Sequence, residues 1–347
     1  MIKIDKKIIK NYLQQRLRTE DIQIGDIISD IEGRGSHEKM VIIVFISGKK
    51  YCMKIRRENM RYTQAAMRAM GGSVPKVLFF DRSKKHFPYE VMVMEYIDAP
   101  TLRQSILDNK KIDFFSLGRC LRKFHKTRIQ GLPFSSYNLK VIESLKKLSA
   151  QFPHLCREIM RTIQSSPSEQ NAKVVSHNDL STLNILNNNG FIFLDLDGIA
   201  YNSKEFDLAY LLHRIKRNFI RAQQPKIPDD YLINYAKANP ADLINQRQKI
   251  LKEFTGLSRK PGPESIKSFE SAREQLLEGY GHPVSKNLLC YYNRLLQLAR
   301  LQRSLSDIID HPHGKEEKMD LIKVLIKNDV VLSRNTTQEL INYIATF

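Results

Sequence analysis

The segment Val174–Gly198 reads VVSHNDLSTLNILNNNGFIFLDLDG and interrupts a chain that is otherwise mostly helical from Thr101 onward. Two short apolar runs flank an Asn-rich turn, so the segment is a small β island. Asp179 sits in a polar loop ahead of the first run, where a carboxylate can accept a proton from a hydroxyl. Asn184, five residues on, can offer an amide oxygen. Asp195 and Asp197 lie two apart. On an extended segment their side chains leave the same face. One amide oxygen with one or two carboxylates is the hard-oxygen set that Mg²⁺ takes when it also binds substrate phosphates. Phosphoryl transfer needs such parts: a positioned hydroxyl, a metal and charge neutralisation.

His177-Asn178-Asp179-Leu180-Ser181-Thr182-Leu183-Asn184 resembles the kinase catalytic loop H-x-D-x-x-x-x-N. A small or polar residue replaces the Arg before Asp. That form is typical of the aminoglycoside phosphotransferase and choline kinase branch of the protein-kinase-like superfamily. FLDLDG, ending at Gly198, occupies the metal-binding segment, and Phe206-Asp207-Leu208-Ala209 resembles the branch's (Y/F)-D-(I/L)-A motif. DLDGIAYNSKEFDL is also similar to spore-coat kinase-like members. The resemblance covers roughly residues 25–300 and is strongest at 174–212. It implies a protein-kinase-like two-lobed α+β fold, with a small β-rich N-lobe over 1–97 and a mostly helical C-lobe over 98–347. It implies a kinase that uses ATP and Mg²⁺ and acts on a hydroxyl acceptor, favouring a small molecule, a sugar or a lipid headgroup. Asp179 is then catalytic, Asn184 and Asp195 are metal ligands, His177 holds the loop backbone, and Asp207 is a buried brace. Asp197 stands where Gly usually follows the metal Asp. It reads as a second metal ligand or as a turn or capping residue.

The preceding hundred residues fit the same template. Helical spacing of Ile4, Ile8, Ile9, Leu13 and Leu17 predicts an amphipathic N-terminal helix. Strands are predicted at Val41–Ile46, Tyr51–Ile55, Val77–Phe80 and Val91–Ile97, with a helix over 58–70 between the second and third. Lys54 matches the strand lysine that contacts the α/β-phosphates. Gly33, Gly35 and Ser36 lie about twenty residues upstream, where a phosphate-covering turn belongs, though an ordinary hairpin turn reads the same way. Met94-Glu95-Tyr96-Ile97 resembles the hinge that meets adenine, so Glu95 and Ile97 join the nucleotide set. Farther on, residues 112–131 are predicted as one helix ended by Gly131.

Two departures bear on function. The helix after Lys54 should carry a Glu to pair with it, yet the aligned residue is Gln64 and Glu58 lies too near in sequence. Lys54 is then oriented by Asp195, by a conformational change, or by an anion. No activation segment ending in A-P-E is present, which argues against a typical regulated protein kinase.

Charge supplies a second theme. The 347 residues hold 56 Lys plus Arg against 37 Asp plus Glu, a formal charge of +19. Such an excess costs self-repulsion and suits anionic partners. Arg119, Arg122, Lys123 and Lys126 share a helix face. Arg56, Arg57, Arg61 and Arg68 flank the helix after Lys54, and Arg214, Lys216, Arg217 and Arg221 follow Asp207. Each cluster alone reads as a solvated surface. Together they point to a second polyanion, such as an inositol phosphate, a phosphoinositide or an acidic substrate, and they allow peripheral membrane association. The rival readings are an atypical protein Ser/Thr kinase, in the manner of a bacterial effector, activated by such an anion, and an inactive pseudokinase on acidic membranes. Specific nucleic-acid binding has the charge but no Trp and no reading motif. Cys52, Cys120, Cys156 and Cys290 lack zinc-site spacing, and His311-Pro312-His313 reads as a solvated loop. The N-terminus has no apolar signal core and no run approaches a membrane span. The expectation is a cytoplasmic protein, or one exported without a cleaved N-terminal signal.

Overall fold

The computed structural model describes residues 5–28, 39–56, 60–85, 88–135, 137–145, 148–167, 173–223, 262–310 and 332–345. The Gly33–Ser36 turn, Glu58 and the His311–His313 loop lie outside the described residues.

Helix α1 (Lys6–Leu17) starts at Asp5, whose side chain accepts the Lys7 N–H at 2.7 Å. Its apolar stripe of Ile9, Tyr12 and Leu13 is buried. Five antiparallel strands follow: β1 (Ile22–Ile28), β2 (Lys39–Ile46), β3 (Lys49–Arg56), β4 (Val77–Asp81) and β5 (Glu90–Glu95), in the order β1-β2-β3-β5-β4. Lys54 stands in the central strand, between Val41 of β2 and Met92 of β5. Strand alternation sends Met53 and Ile55 into the core with Ile9 and Leu13, together with Val91 and Val93 of β5. The opposite face of β3 therefore carries Lys54 and Arg56. Both are buried, at 4% and 8% exposure.

Helix α2 (Arg61–Met70) closes that second face. Its first turn has no acid of its own. Buried Glu90 supplies one from β5, accepting the Met60 N–H at 2.6 Å. Met60, Met67, Met70 and Met92 then join one continuous core with Leu117, Phe124, Leu180, Phe193, Leu196 and Leu208. Apolar packing thus runs without a break from the sheet into the helical region.

That region contains α3 (Leu102–Leu107), α4 (Phe114–His125), α5 (Tyr137–Leu145), α6 (Pro153–Gln164), α7 (Lys204–Ala222), α8 (Pro263–Tyr280), α9 (Lys286–Asp310) and α10 (Arg334–Ala345). The single helix expected to run to Gly131 stops at His125 instead. The chain after it turns back, with Gly131 at φ 70, and buries Ile129 and Leu132. The β island holds more pairing than the two strands expected. β7 (Ile185–Asn187) and β8 (Phe191–Phe193) form the hairpin around the Asn turn. β6 (Val174–Ser176) pairs with β9 (Ala200–Asn202) at its base. Among the described residues no helix is long and apolar enough to cross a membrane.

Helices α4 and α8 meet backbone to backbone at two glycines. A Cβ on Gly118 would collide with the Leu276 carbonyl and the Tyr280 N–H. One on Gly279 would collide with the Phe115 carbonyl. This contact places Tyr280 beside His125. Gly279→Ala must force the helices apart and should destabilise by about 1–3 kcal/mol, as overpacked cores do. Gly72→Ala, which meets nothing within 4 Å, is the control. Calorimetry should show a lower melting temperature for the first variant and none of that loss for the second.

Candidate active site

Asp207, in the first turn of α7, is fully buried. Its Oδ2 accepts the His177 N–H at 2.7 Å and its Oδ1 accepts the Asn178 N–H at 3.0 Å. His125 Nε2 lies 3.1 Å from Oδ2, and His125 Nδ1 lies 2.8 Å from the Tyr280 hydroxyl. Burial alone would raise the Asp207 pKa. The hydrogen bond and charge of His125, with the His177 backbone, outweigh burial and hold it below the ordinary carboxylate value. One carboxylate thereby fixes the start of the loop to α4, α7 and α8.

The loop then follows from short contacts. Asn178 takes a left-handed conformation, φ 60, which Asn tolerates better than most residues. Its amide donates to the Ser176 and Gly198 carbonyls and accepts from Asn202. His177 donates from Nε2 to the Leu194 carbonyl at 2.7 Å, and its ring stacks on Phe124. This His orients backbone on both sides of the hairpin. Buried Thr182 is held by the Asn218 amide at 2.7 Å.

Asp179 is exposed at the head of this loop. Its Oδ1 accepts the Tyr210 hydroxyl at 2.9 Å, and Arg214 Nη2 donates to that hydroxyl at 2.9 Å. The Asn184 amide nitrogen donates to the Asp179 carbonyl at 2.9 Å and lies 3.4 Å from its Oδ2. The Asn184 amide nitrogen is thus committed to the Asp179 end of the loop. Burial, foremost, raises the Tyr210 pKa, with Arg214 pulling against it and Asp179 adding to it. Tyr210 stays a donor to the carboxylate. Sequence reading missed Tyr210 and placed Arg214 only in a basic cluster. Their signal was the i, i+4 spacing one turn beyond Asp207, which reads equally well as helix core followed by surface charge.

The hairpin sets Leu194 against Asn184, with an N–H···O=C bond of 2.8 Å, so Asp195 emerges next to Asn184. The segment is not extended as the sequence suggested. Asp195 is left-handed (φ 54, ψ 59), and Leu196–Gly198 form one 3-10 turn. Leu196 drops into the core, leaving Asp195 and Asp197 on either side of it. Both carboxylates reach Lys54, at 2.7 Å and 2.6 Å. Arg56 Nη1 also lies 2.8 Å from Asp197. Thr63 of α2 comes within 3.5 Å of Asp197. Burial and the Asp195 charge push the Asp197 pKa up, against the pull of Lys54. The partners of Lys54 are therefore Asp195 and Asp197, and α2 contributes Thr63 rather than a carboxylate. Glu95 ends β5, with its N–H and Oε1 both engaged by the Lys76 backbone. Ile97 follows two residues later, on the strand's exit.

The model of the phosphotransferase enzyme family (APH) matches residues 45–243, more than half the chain. Among solved structures, a spectinomycin phosphotransferase in complex with ADP and spectinomycin matches over 100% of both chains, at TM-score 0.59 and 14% identity. A choline/ethanolamine kinase family protein from Mesorhizobium loti matches over 98% of this chain and 99% of its own, at TM-score 0.55 and 17% identity. An amicoumacin kinase in complex with AMP-PNP, Ca²⁺ and Ami matches over 98% of this chain and 96% of its own, at TM-score 0.56 and 13% identity. No curated protein matches the chain. At these identities the likeness is one of fold, and it bears out the protein-kinase-like α+β architecture.

The Asp207 brace has a pH signature. Its folded pKa lies below the unfolded value, so its stabilisation is present above about pH 4 and is lost as pH falls through the folded value. Asp207→Asn should cost about 3 kcal/mol at pH 7, the order expected when one partner of a buried charged network is removed. Urea titrations should show the gap between variant and wild type narrowing below about pH 4.

Proposed function

The chain belongs to the phosphotransferase enzyme family, and on that premise we propose that it transfers the terminal phosphoryl group of ATP, with Mg²⁺, to a hydroxyl of a small molecule, sugar or lipid headgroup. The observation that carries this reading is the exposed Asp179 carboxylate, fixed by Tyr210 and Asn184 on a loop whose hairpin also presents Asp195. The acceptor oxygen attacks the γ-phosphorus, the bond to the β,γ-bridging oxygen breaks, and ADP leaves. The hydroxyl proton passes to Asp179, whose Oδ2 is the oxygen not held by Tyr210.

The donor set fits Mg²⁺. Asn184 has its nitrogen occupied and its amide oxygen to offer, and Asp195 is 28% exposed. Among the described residues no group of three His, Cys, Asp or Glu forms a dedicated metal cage. Two hard oxygens suit a cation that keeps water and phosphate oxygens as its other ligands. Bound there, Mg²⁺ supplies neutralisation of the β/γ-phosphate charge. Lys54 turns from Asp195 to the phosphates. Asp197 keeps Arg56 as a partner and holds Lys54 near, taking the part that a helix Glu would play. The phosphate-covering role expected of Gly33, Gly35 and Ser36 falls outside the described residues, while Glu95 and Ile97 would line adenine where the N-lobe (1–97) joins the C-lobe (98–347).

Asp179→Asn should lower turnover by about 10²–10⁴-fold, the usual share of a general base, with nucleotide binding unchanged. Asp197→Asn should mainly raise the KM for ATP. The assay is radiolabelled ATP with purified protein and cell extract, separating lipid, metabolite and protein. Full turnover in Asp179→Asn would refute the assignment, and label confined to protein would overturn the acceptor class.

A further inference from the structure

Outside this site lies a cavity of about 480 Å³ whose lining includes His125, Lys126, Arg128, Lys173, Val174 and Tyr201. The volume is in the range of small-ligand pockets, about 300–1,000 Å³. None of its lining residues is acidic. Among the described residues no ion pair engages Lys126, Arg128 or Lys173. Lys126 is the C-cap of α4, where a cation is ordinarily favoured by the helix dipole. Arg128 follows two residues past that cap, and Lys173 sits at no helix end, so the dipole does not explain the whole set. All three are exposed, so water and salt screen their mutual repulsion, and an anion seated in the concavity would be attracted by all three.

The walls are held in place. The Tyr201 hydroxyl donates to the Ile129 carbonyl at 3.1 Å. Its ring packs on Phe134, centroids 5.6 Å apart, and the Lys173 ammonium lies 4.8 Å from the Phe134 centroid. Two features tie the cavity to the catalytic loop. Val174 opens β6, which runs directly into His177. His125, buried in the wall, is the side chain that reaches Asp207.

We propose that this cavity binds a small polyphosphorylated anion, free or as a lipid headgroup, and that occupancy stiffens the His177–Asp179 backbone through β6 and the His125–Asp207 contact. Binding is independent of the nucleotide site; only the link to turnover rests on the function proposed above.

The test uses the full chain saturated with AMP-PNP and Mg²⁺ at 0.15 M salt, with inositol hexakisphosphate as probe. Calorimetry should find one site, weakened at least tenfold in Lys126→Ser/Arg128→Ser/Lys173→Ser. AMP-PNP affinity should be the same in variant and wild type. Amide exchange at 177–179 should slow with probe. Vesicles with and without phosphatidylinositol bisphosphate form a second arm; capture only by the former, lost in the variant, assigns a lipid source. Equal probe affinity in the variant, or probe binding seen only when AMP-PNP is left out, overturns the site. Binding without slower exchange overturns the coupling. Neither result touches the Asp179 assignment, which stands or falls on the turnover of its own variant.

Discussion

A carboxylate with no solvent exposure holds the His177–Asn184 loop in place. Asp207 could not remain ionised in this interior without partners. It has three: two successive backbone N–H groups at the loop's entry and one histidine. The charge needs those donors, and it draws together donors that Tyr280, Leu194 and Asn202 also hold. His125 passes the constraint to Tyr280, and the glycine contact between α4 and α8 sets how near Tyr280 can come. A helix crossing more than seventy residues downstream thus helps determine where Asp179 sits.

A second set of charges joins the sheet to the hairpin. Lys54 and Arg56 leave the same face of β3, and Asp195 and Asp197 flank one 3-10 turn. Two cations and two carboxylates give a cluster with no net charge. A pair this buried gains little in stability over an apolar substitute. Its consequence is positional. With neutral Gln64 on α2, the anions that restrain Lys54 come from the Asp195–Asp197 turn, so lysine placement and the Asp195 position are set together.

Much of this was legible because it is local in sequence. The spacing from His177 to Asn184, and on to Asp195 and Asp207, locates the loop without coordinates. So does the alternation that buries Met53 and Ile55 beneath Lys54. What could not be read depends on backbone excursions or distant partners. An Asp-Leu-Asp string looks extended, yet Asp195 adopts positive φ and Leu196 turns inward. Tyr210 looks like helix core until Asp179 is found against its hydroxyl. Gly118 and Gly279 carry no signal until the two helices are seen to touch. Helix α4 ends before Gly131 because Ile129 and Leu132 are drawn into the core, a tertiary preference that periodicity does not encode.

The excess of positive charge also changes meaning once residues are placed. As sequence, the basic clusters form one undivided field. In the structure they separate by task. Arg56 is bound to Asp197, and Arg214 donates to Tyr210, so one member of each flanking cluster is part of the active-site scaffold. Such residues are poor candidates for a second anion, because recruiting them would loosen the groups that hold Lys54 and Asp179. Lys126, Arg128 and Lys173 are different. They surround a concavity, lack carboxylate partners among the described residues, and touch the scaffold only through its supports. Net charge alone would favour every basic face equally. Pairing and concavity together select this one.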